Sequence, residues 1–122
     1  MLSLIKKLVS SFALASGGLR EAYRRDLSFR MEVWAGSILV VFGYVLWPMS
    51  GAELLFLFLA FSLILVAELI NTALESALER LHPEEHELIG RSKDIASAAV
   101  FITVIFALIT IAVIILDRTG LL

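Results

Sequence analysis

Glu68, Asn71, Thr72, Glu75 and Glu79 lie at offsets of 3, 4, 7 and 11, the spacings that stack side chains on one face of an α-helix. Three carboxylates and a carboxamide on one stripe are hard oxygen ligands. They suit Mg²⁺, a cation that keeps several waters and is usually held by one or two carboxylates plus substrate phosphates. Basic and hydrogen-bonding groups follow directly: His86, Arg91 and Lys93, with Asp94 beside them. Carboxylates for a metal, cations for phosphates and one deeper carboxylate to take a proton are the parts that phosphoryl transfer to an alcohol requires, because such catalysis is mainly positioning and charge stabilisation. The chain contains no P-loop sequence, no kinase glycine-rich loop and no HRD or DFG tripeptide, so a nucleotide site here is of another kind.

These polar residues are attached to an apolar protein. Of the 122 residues 60% are hydrophobic and the mean hydropathy is +0.95, far above the usual share for a soluble domain, so the chain reads as a single-domain integral membrane protein. An acid near the centre of a spanning helix costs about 2.5 to 3.5 kcal/mol on insertion scales, so Glu68 at the end of an apolar run asks for a functional reason. The formal net charge of −2, with basic residues spread along the chain rather than gathered in one tract, argues against a nucleic-acid partner. With no cysteine, thiol catalysis, disulfides and cysteine-ligated metals are excluded.

Residues 1–32 hold six of the ten basic residues, Lys6, Lys7, Arg20, Arg24, Arg25 and Arg30, next to Glu21, Asp26 and Glu32, and cannot span a bilayer. Ile5, Leu8, Val9, Phe12, Leu19 and Tyr23 recur among them at helical spacing, which predicts an amphipathic helix lying in the interface rather than a cleaved leader. A first span is predicted over 33–47, with Trp34, Tyr44 and Trp47 as interface anchors. Pro48 stops it, and Ser50-Gly51-Ala52-Glu53 has the form of a capping box that opens a second span over 52–80. That helix is longer than the hydrocarbon core, so Glu68 is expected near the membrane edge and Glu75 and Glu79 beyond it. Pro83 with Glu84 and Glu85 reads as the first turn of a third helix, whose span covers 94–116 and ends at Asp117-Arg118-Thr119-Gly120. Ala96, Ala99, Thr103 and Ala107 set small residues on one side of it for close packing. Nine basic residues lie in 1–32 and 80–94 and only Arg118 lies on the other side, which predicts a cytoplasmic N-terminus and a cytoplasmic second connection.

Glu68-Leu69-Ile70-Asn71-Thr72-Ala73-Leu74-Glu75, followed by Glu84-Glu85-His86-Glu87-Leu88-Ile89-Gly90-Arg91-Ser92-Lys93-Asp94 and Ser97-Ala98-Ala99-Val100, closely resembles the signature of the prokaryotic diacylglycerol kinase family. The resemblance extends upstream through Gly18-Leu19-Arg20-Glu21-Ala22 and Asp26-Leu27-Ser28-Phe29-Arg30-Met31-Glu32, so it covers nearly the whole chain. It implies an all-α integral-membrane fold with three spanning helices and a surface helix, assembled as a homotrimer in the bacterial inner membrane. The implied activity uses MgATP to phosphorylate diacylglycerol, with sites shared between neighbouring subunits.

Carried over by position, the resemblance makes Glu68 the proton acceptor, Glu75 and Asp26 metal-coordinating residues, and Asn71 their neighbour. Lys7, Asp26, Glu75, Glu84, Glu85, His86, Lys93 and Asp94 match ATP-binding positions, and Arg30, Glu32, Glu68 and Ser97 match positions lining the lipid site. Glu79, Gly90 and Arg91 match supporting positions. The chain departs from the pattern at Asp26, where the family usually has Glu, and at Glu79, where Asp is usual. Ala96 replaces a frequent Gly, Leu14 a common Tyr, and Lys7 an Arg whose bidentate fork a lysine lacks.

By itself His86 reads as a surface or packing histidine, Arg91 and Lys93 as positive-inside anchors, Glu79 as a solvated helix-end acid, and Glu68 as a structural partner for Arg30 or Lys93. The motif in which they stand favours the site roles. Three other readings share the same residues: an undecaprenol kinase, a small proton- or cation-conducting oligomer whose pathway is the stripe Glu68, Glu75 and Glu79, and a non-catalytic membrane scaffold. Conduction leaves the segment from His86 to Asp94 without a role, and the wording around Gly90 to Ala99 stands closer to the diacylglycerol branch.

Overall fold

The computed structural model describes residues 1–81 and 86–121. Among them the chain is entirely helical: α1 (Leu2–Arg25), α2 (Leu27–Val45), α3 (Gly51–Leu81) and α4 (Glu87–Arg118). The last three are long and apolar enough to cross a membrane. At 1.5 Å per residue the 31 residues of α3 and the 32 of α4 are each longer than a hydrocarbon core of about 30 Å.

The sequence explains where the helices start and stop. Between α1 and α2 only Asp26 leaves the helical conformation, with φ −101° and ψ 119°, and its carboxylate accepts from the N–H groups of Ser28 and Phe29 at 2.8 and 3.3 Å. The break between surface helix and first spanning helix therefore falls at Asp26, upstream of the charge-free stretch that begins at Val33. Loss of charge marks where lipid begins, whereas a helix begins at its cap. The expected capping box is present: the Ser50 N–H donates to Glu53 Oε2 at 2.6 Å and the Glu53 N–H to Ser50 Oγ at 3.2 Å. Pro83 lies outside the described residues, and α4 begins at Glu87, with His86 Nδ1 accepting from the Leu88 N–H at 3.2 Å. Its far end closes with Thr119 as cap and Gly120 at φ 71°, where the Leu121 N–H returns to the Leu116 carbonyl at 3.0 Å.

α4 packs along α3 more extensively than any other pair; α2 packs on α3, and α1 touches both α2 and α3. α2 comes close to α3 at Gly36, which is buried under the ring of Phe61. On α4, Ala107 is buried and Ala96 and Thr103 are half-buried, but Ala99 is exposed. At 100° per residue Ala99 lies about 60° from Ala96 and further still from Ala107, at the edge of the stripe, so the expected four-residue packing face is narrower than the spacings suggested. The buried apolar core is small, consisting of Ala22, Phe29, Met49, Leu57, Ala60, Ala107 and Ile114. Large apolar side chains on all three spanning helices face outward, including Trp34 and Tyr44, as an apolar solvent requires, and Trp47 is exposed just beyond α2.

Candidate active site

One helix junction and the faces of α2 and α3 bring the acids together. Asp26 sits at the α1–α2 break, held there by its role as cap, and Glu32 follows on α2. α3 supplies Glu68, Asn71 and Glu75 from one face, and α4 supplies Ser97 and Val100. With Ser28 these residues line a single cleft of about 300 Å³. Glu68 is 3% exposed and Asn71 8%, so the stripe is covered by its neighbours rather than by water.

The polar groups of the cleft are only partly satisfied by one another. Asn71 Nδ2 donates to Glu75 Oε1 at 3.4 Å, and Thr72 Oγ1 donates to Asp26 Oδ2 from the next position on α3. Asn71 Oδ1 and Glu32 Oε2 are buried without a hydrogen-bond partner. Ion pairs among the described residues join Arg25 to Glu21, Arg91 to Glu87, Lys93 to Glu79 and Arg118 to Glu53; none reaches Asp26, Glu32, Glu68 or Glu75. The structural pairing of Glu68 with Arg30 or Lys93 is absent. Buried carboxylates without a cation are costly, and the orphaned oxygens mark where donors or a cation belong.

A divalent cation fits this donor set. All the groups offered are hard oxygens, and Mg²⁺ is usually satisfied by one or two carboxylates plus phosphates. Among the described residues no three acids or histidines converge tightly enough to cage an ion alone, which matches a site completed by phosphate and water rather than a protein-only cage.

The remaining predicted residues are distributed around this cleft rather than in it. Lys93 Nζ donates to Glu79 Oε1 at 2.8 Å, one helical turn beyond Glu75. Arg91 is engaged by Glu87 at 2.5 Å, His86 caps α4, and Gly90 and Asp94 are exposed near them. Arg30 is half-buried on α2 and Lys7 exposed on α1, and neither lines the cleft. Glu84 and Glu85 lie outside the described residues. The structure thus gathers Asp26, Glu32, Glu68, Asn71, Glu75 and Ser97 in one place, with Arg91 and Lys93 on α4, Arg30 on α2 and Lys7 on α1 outside it.

Sequence reasoning left three contributions unassigned. Ser28 and Val100 line the cleft, and Thr72 holds Asp26. Asp26 followed by Leu27-Ser28-Phe29 carried a signal for the cap, since Asp is among the favoured N-cap residues. Thr72 was visible on the stripe, but its partner is 46 residues away in sequence.

The prokaryotic diacylglycerol kinase family model matches residues 13–115. The diacylglycerol kinase of Haemophilus influenzae is 34% identical over 95 residues, 78% of this chain and 80% of the relative. That of Escherichia coli K12 is 32% identical over 114 residues, 93% of each chain. The undecaprenol kinase of Bacillus subtilis is 26% identical over 105 residues, 86% of this chain and 85% of the relative. A match that runs from the surface helix to the end of the third span, through the residues that build the acidic cleft, places the chain in the prokaryotic diacylglycerol kinase family.

Proposed function

We propose that the chain transfers the γ-phosphoryl group of ATP to the hydroxyl of diacylglycerol at the cytoplasmic face of the bacterial inner membrane, with Mg²⁺ as cofactor. The observation that carries this reading is the cation-free cleft in which Asp26, Glu32, Glu68, Asn71 and Glu75 meet at the end of a spanning helix. Glu68 takes the proton of the lipid hydroxyl as its oxygen attacks the γ-phosphorus; the bond from that phosphorus to the β,γ-bridging oxygen breaks, and ADP leaves with the electron pair. Burial of Glu68 keeps this proton transfer away from bulk water, and lipid reaches the membrane edge where it sits. Asp26 and Glu75 would hold Mg²⁺, which when bound neutralises phosphate charge. Lys93 exchanges Glu79 for phosphate, His86 and Asp94 serve ATP, a role that Glu84 and Glu85 share by their position in the family pattern, and Arg30, Glu32 and Ser97 serve the lipid.

The cleft that holds the buried acids reaches Ser97, which is exposed in the single chain, and a homotrimer whose sites are completed by a neighbouring subunit would cover it. The charge count supports a cytoplasmic N-terminus and second connection.

The similarity to an undecaprenol kinase favours a polyprenol as the second substrate to test. ³²P transfer from MgATP to a mixture of diacylglycerol and undecaprenol, in detergent or lipid, decides between them. Labelled phosphatidic acid that disappears in Glu75→Gln is the expected result. Label on the polyprenol alone would move the chain to that substrate, and no label on either lipid with folded protein would overturn the kinase reading.

A further inference from the structure

Asp26 is more constrained than a metal-ligating carboxylate needs to be. Its backbone N–H closes α1 on the Ala22 carbonyl at 2.9 Å, and Oδ1 accepts two N–H groups at the start of α2. The remaining oxygen, Oδ2, accepts the hydroxyl of Thr72 from α3. A carboxylate offers about four lone-pair sites, so two backbone donors on Oδ1 and one hydroxyl on Oδ2 leave a single direction, on Oδ2.

The Thr72 bond is unlike those of the other helical hydroxyls. Ser16, Ser92, Thr103 and Thr110 each donate to a backbone carbonyl three or four residues back in their own helix, the usual choice for such side chains. Thr72 instead donates across helices to a side chain in the acidic cleft, from a position between Asn71 and Glu75. Partners that orient a ligating carboxylate fix the direction of its remaining lone pair and so set metal affinity. The Asp at this position also suits the arrangement: its short side chain lets one carboxylate cap a helix and face the cleft together, which a Glu, a poorer N-cap, does less well.

We propose that Thr72 is a positioning residue for the cation site. Its hydroxyl anchors Asp26 Oδ2, so that Asp26, clamped at Oδ1 as the cap of α2, offers the cation one oxygen from a set direction. This rests on the assignment of Asp26 to the cation in the kinase reading.

The test is Mn²⁺ binding to the purified full chain in detergent with a non-hydrolysable ATP analogue present to complete the site, read from the loss of the free-ion EPR signal beyond that caused by the analogue alone. Thr72→Val should weaken Mn²⁺ binding about 10- to 100-fold, the usual effect of removing a partner that orients a ligand. Thr72→Ser, which keeps the hydroxyl, should retain it. Thr72→Ala makes the same comparison should the valine variant fail to fold. Asp26→Ser keeps a capping side chain but removes the carboxylate, and on that background Thr72→Val should weaken binding no further.

Wild-type affinity in Thr72→Val, equal losses in the serine and valine variants, or a further loss on the Asp26→Ser background would each overturn the proposal. The two readings fail separately. Lipid phosphorylation with Mn²⁺ binding indifferent to Thr72 sinks the positioning role alone, whereas Thr72-dependent Mn²⁺ binding without lipid phosphorylation supports it and sinks the kinase reading.

Discussion

Lys93 Nζ lies 2.8 Å from Glu79 Oε1, and the bond ties the end of α3 to the first turns of α4. Glu79 extends the stripe of Glu68 and Glu75 by one turn, so Lys93 is held by an acid of the same stripe that lies outside the cleft. A lysine is a mobile point charge, and Glu79 remains mostly exposed in the pair. The bond is thus suited to exchange, as the phosphate contact proposed for Lys93 requires.

Substitution separates the two partners. Lys93→Met removes the charge offered to phosphate and is expected to raise the KM for ATP and lower kcat. Glu79→Gln leaves that charge in place and is expected to change both less. Steady-state ³²P transfer at varied MgATP reads the split, and a Glu79→Gln defect as large as that of Lys93→Met would give Glu79 a direct part in the site.

Glu68→Gln keeps the size and polarity of the side chain but cannot accept the lipid proton. General-base assistance is usually worth about 10² to 10⁴ in rate, so kcat should fall within that range while the KM for ATP changes little. An unchanged kcat would remove Glu68 from the proton-transfer role. Because Glu68 is buried without an ion-pair partner, the substitution breaks no salt bridge, and a loss of rate cannot be traced to one.

The acidic stripe was legible from the sequence because helical offsets within one element need no tertiary knowledge: Glu68, Asn71 and Glu75 share the cleft as their spacing required. The capping box at Ser50 and Glu53 was legible for the same reason. Relationships across elements were not. That Lys93 pairs with Glu79 rather than Glu68 depends on the register between α3 and α4, which no spacing within either helix gives. Arg118 read as the lone basic residue on the far side of the membrane, with no local sign that its partner is Glu53, 65 residues away. The double use of Asp26, as helix cap and as cleft acid, is half legible: its charge beside an apolar span marks the acid, whereas the cap depends on where α1 ends.

Gly36 sets how closely α2 approaches α3. A Cβ at this position would fall inside the ring of Phe61, and Gly36 belongs to a rigid helix that cannot turn it away. Overpacking of this kind typically costs about 1 to 3 kcal/mol, so Gly36→Ala should lower the thermal stability of the detergent-solubilised protein. Phe61→Leu in the same chain should restore part of the loss by making room. A Gly36→Ala protein as stable as the wild type would show that the ring moves freely at this crossing.

At the opposite end of the bundle from the acids, Arg118 joins three elements. Its Nε and Nη2 donate to the two Glu53 oxygens at 2.9 and 3.1 Å, Nη2 also reaches the Pro48 carbonyl at 2.8 Å, and Nη1 donates to the Leu46 carbonyl. One guanidinium thus satisfies carbonyls left open after α2, pairs with the cap of α3 and anchors the last turn of α4, a task that needs the planar fork. Arg118→Lys keeps the charge and should lose part of the thermal stability, and Arg118→Ala more. Glu53 and Glu75 are 22 residues apart on α3, about 33 Å along the helix, so neither substitution should move the KM for ATP. Melting curves and ATP titrations on the same preparations test both halves. A KM that rises with the loss of Arg118 while the protein stays folded would mean that the far end of the bundle sets the geometry of the cleft, and that α3 and α4 transmit it as a rigid pair.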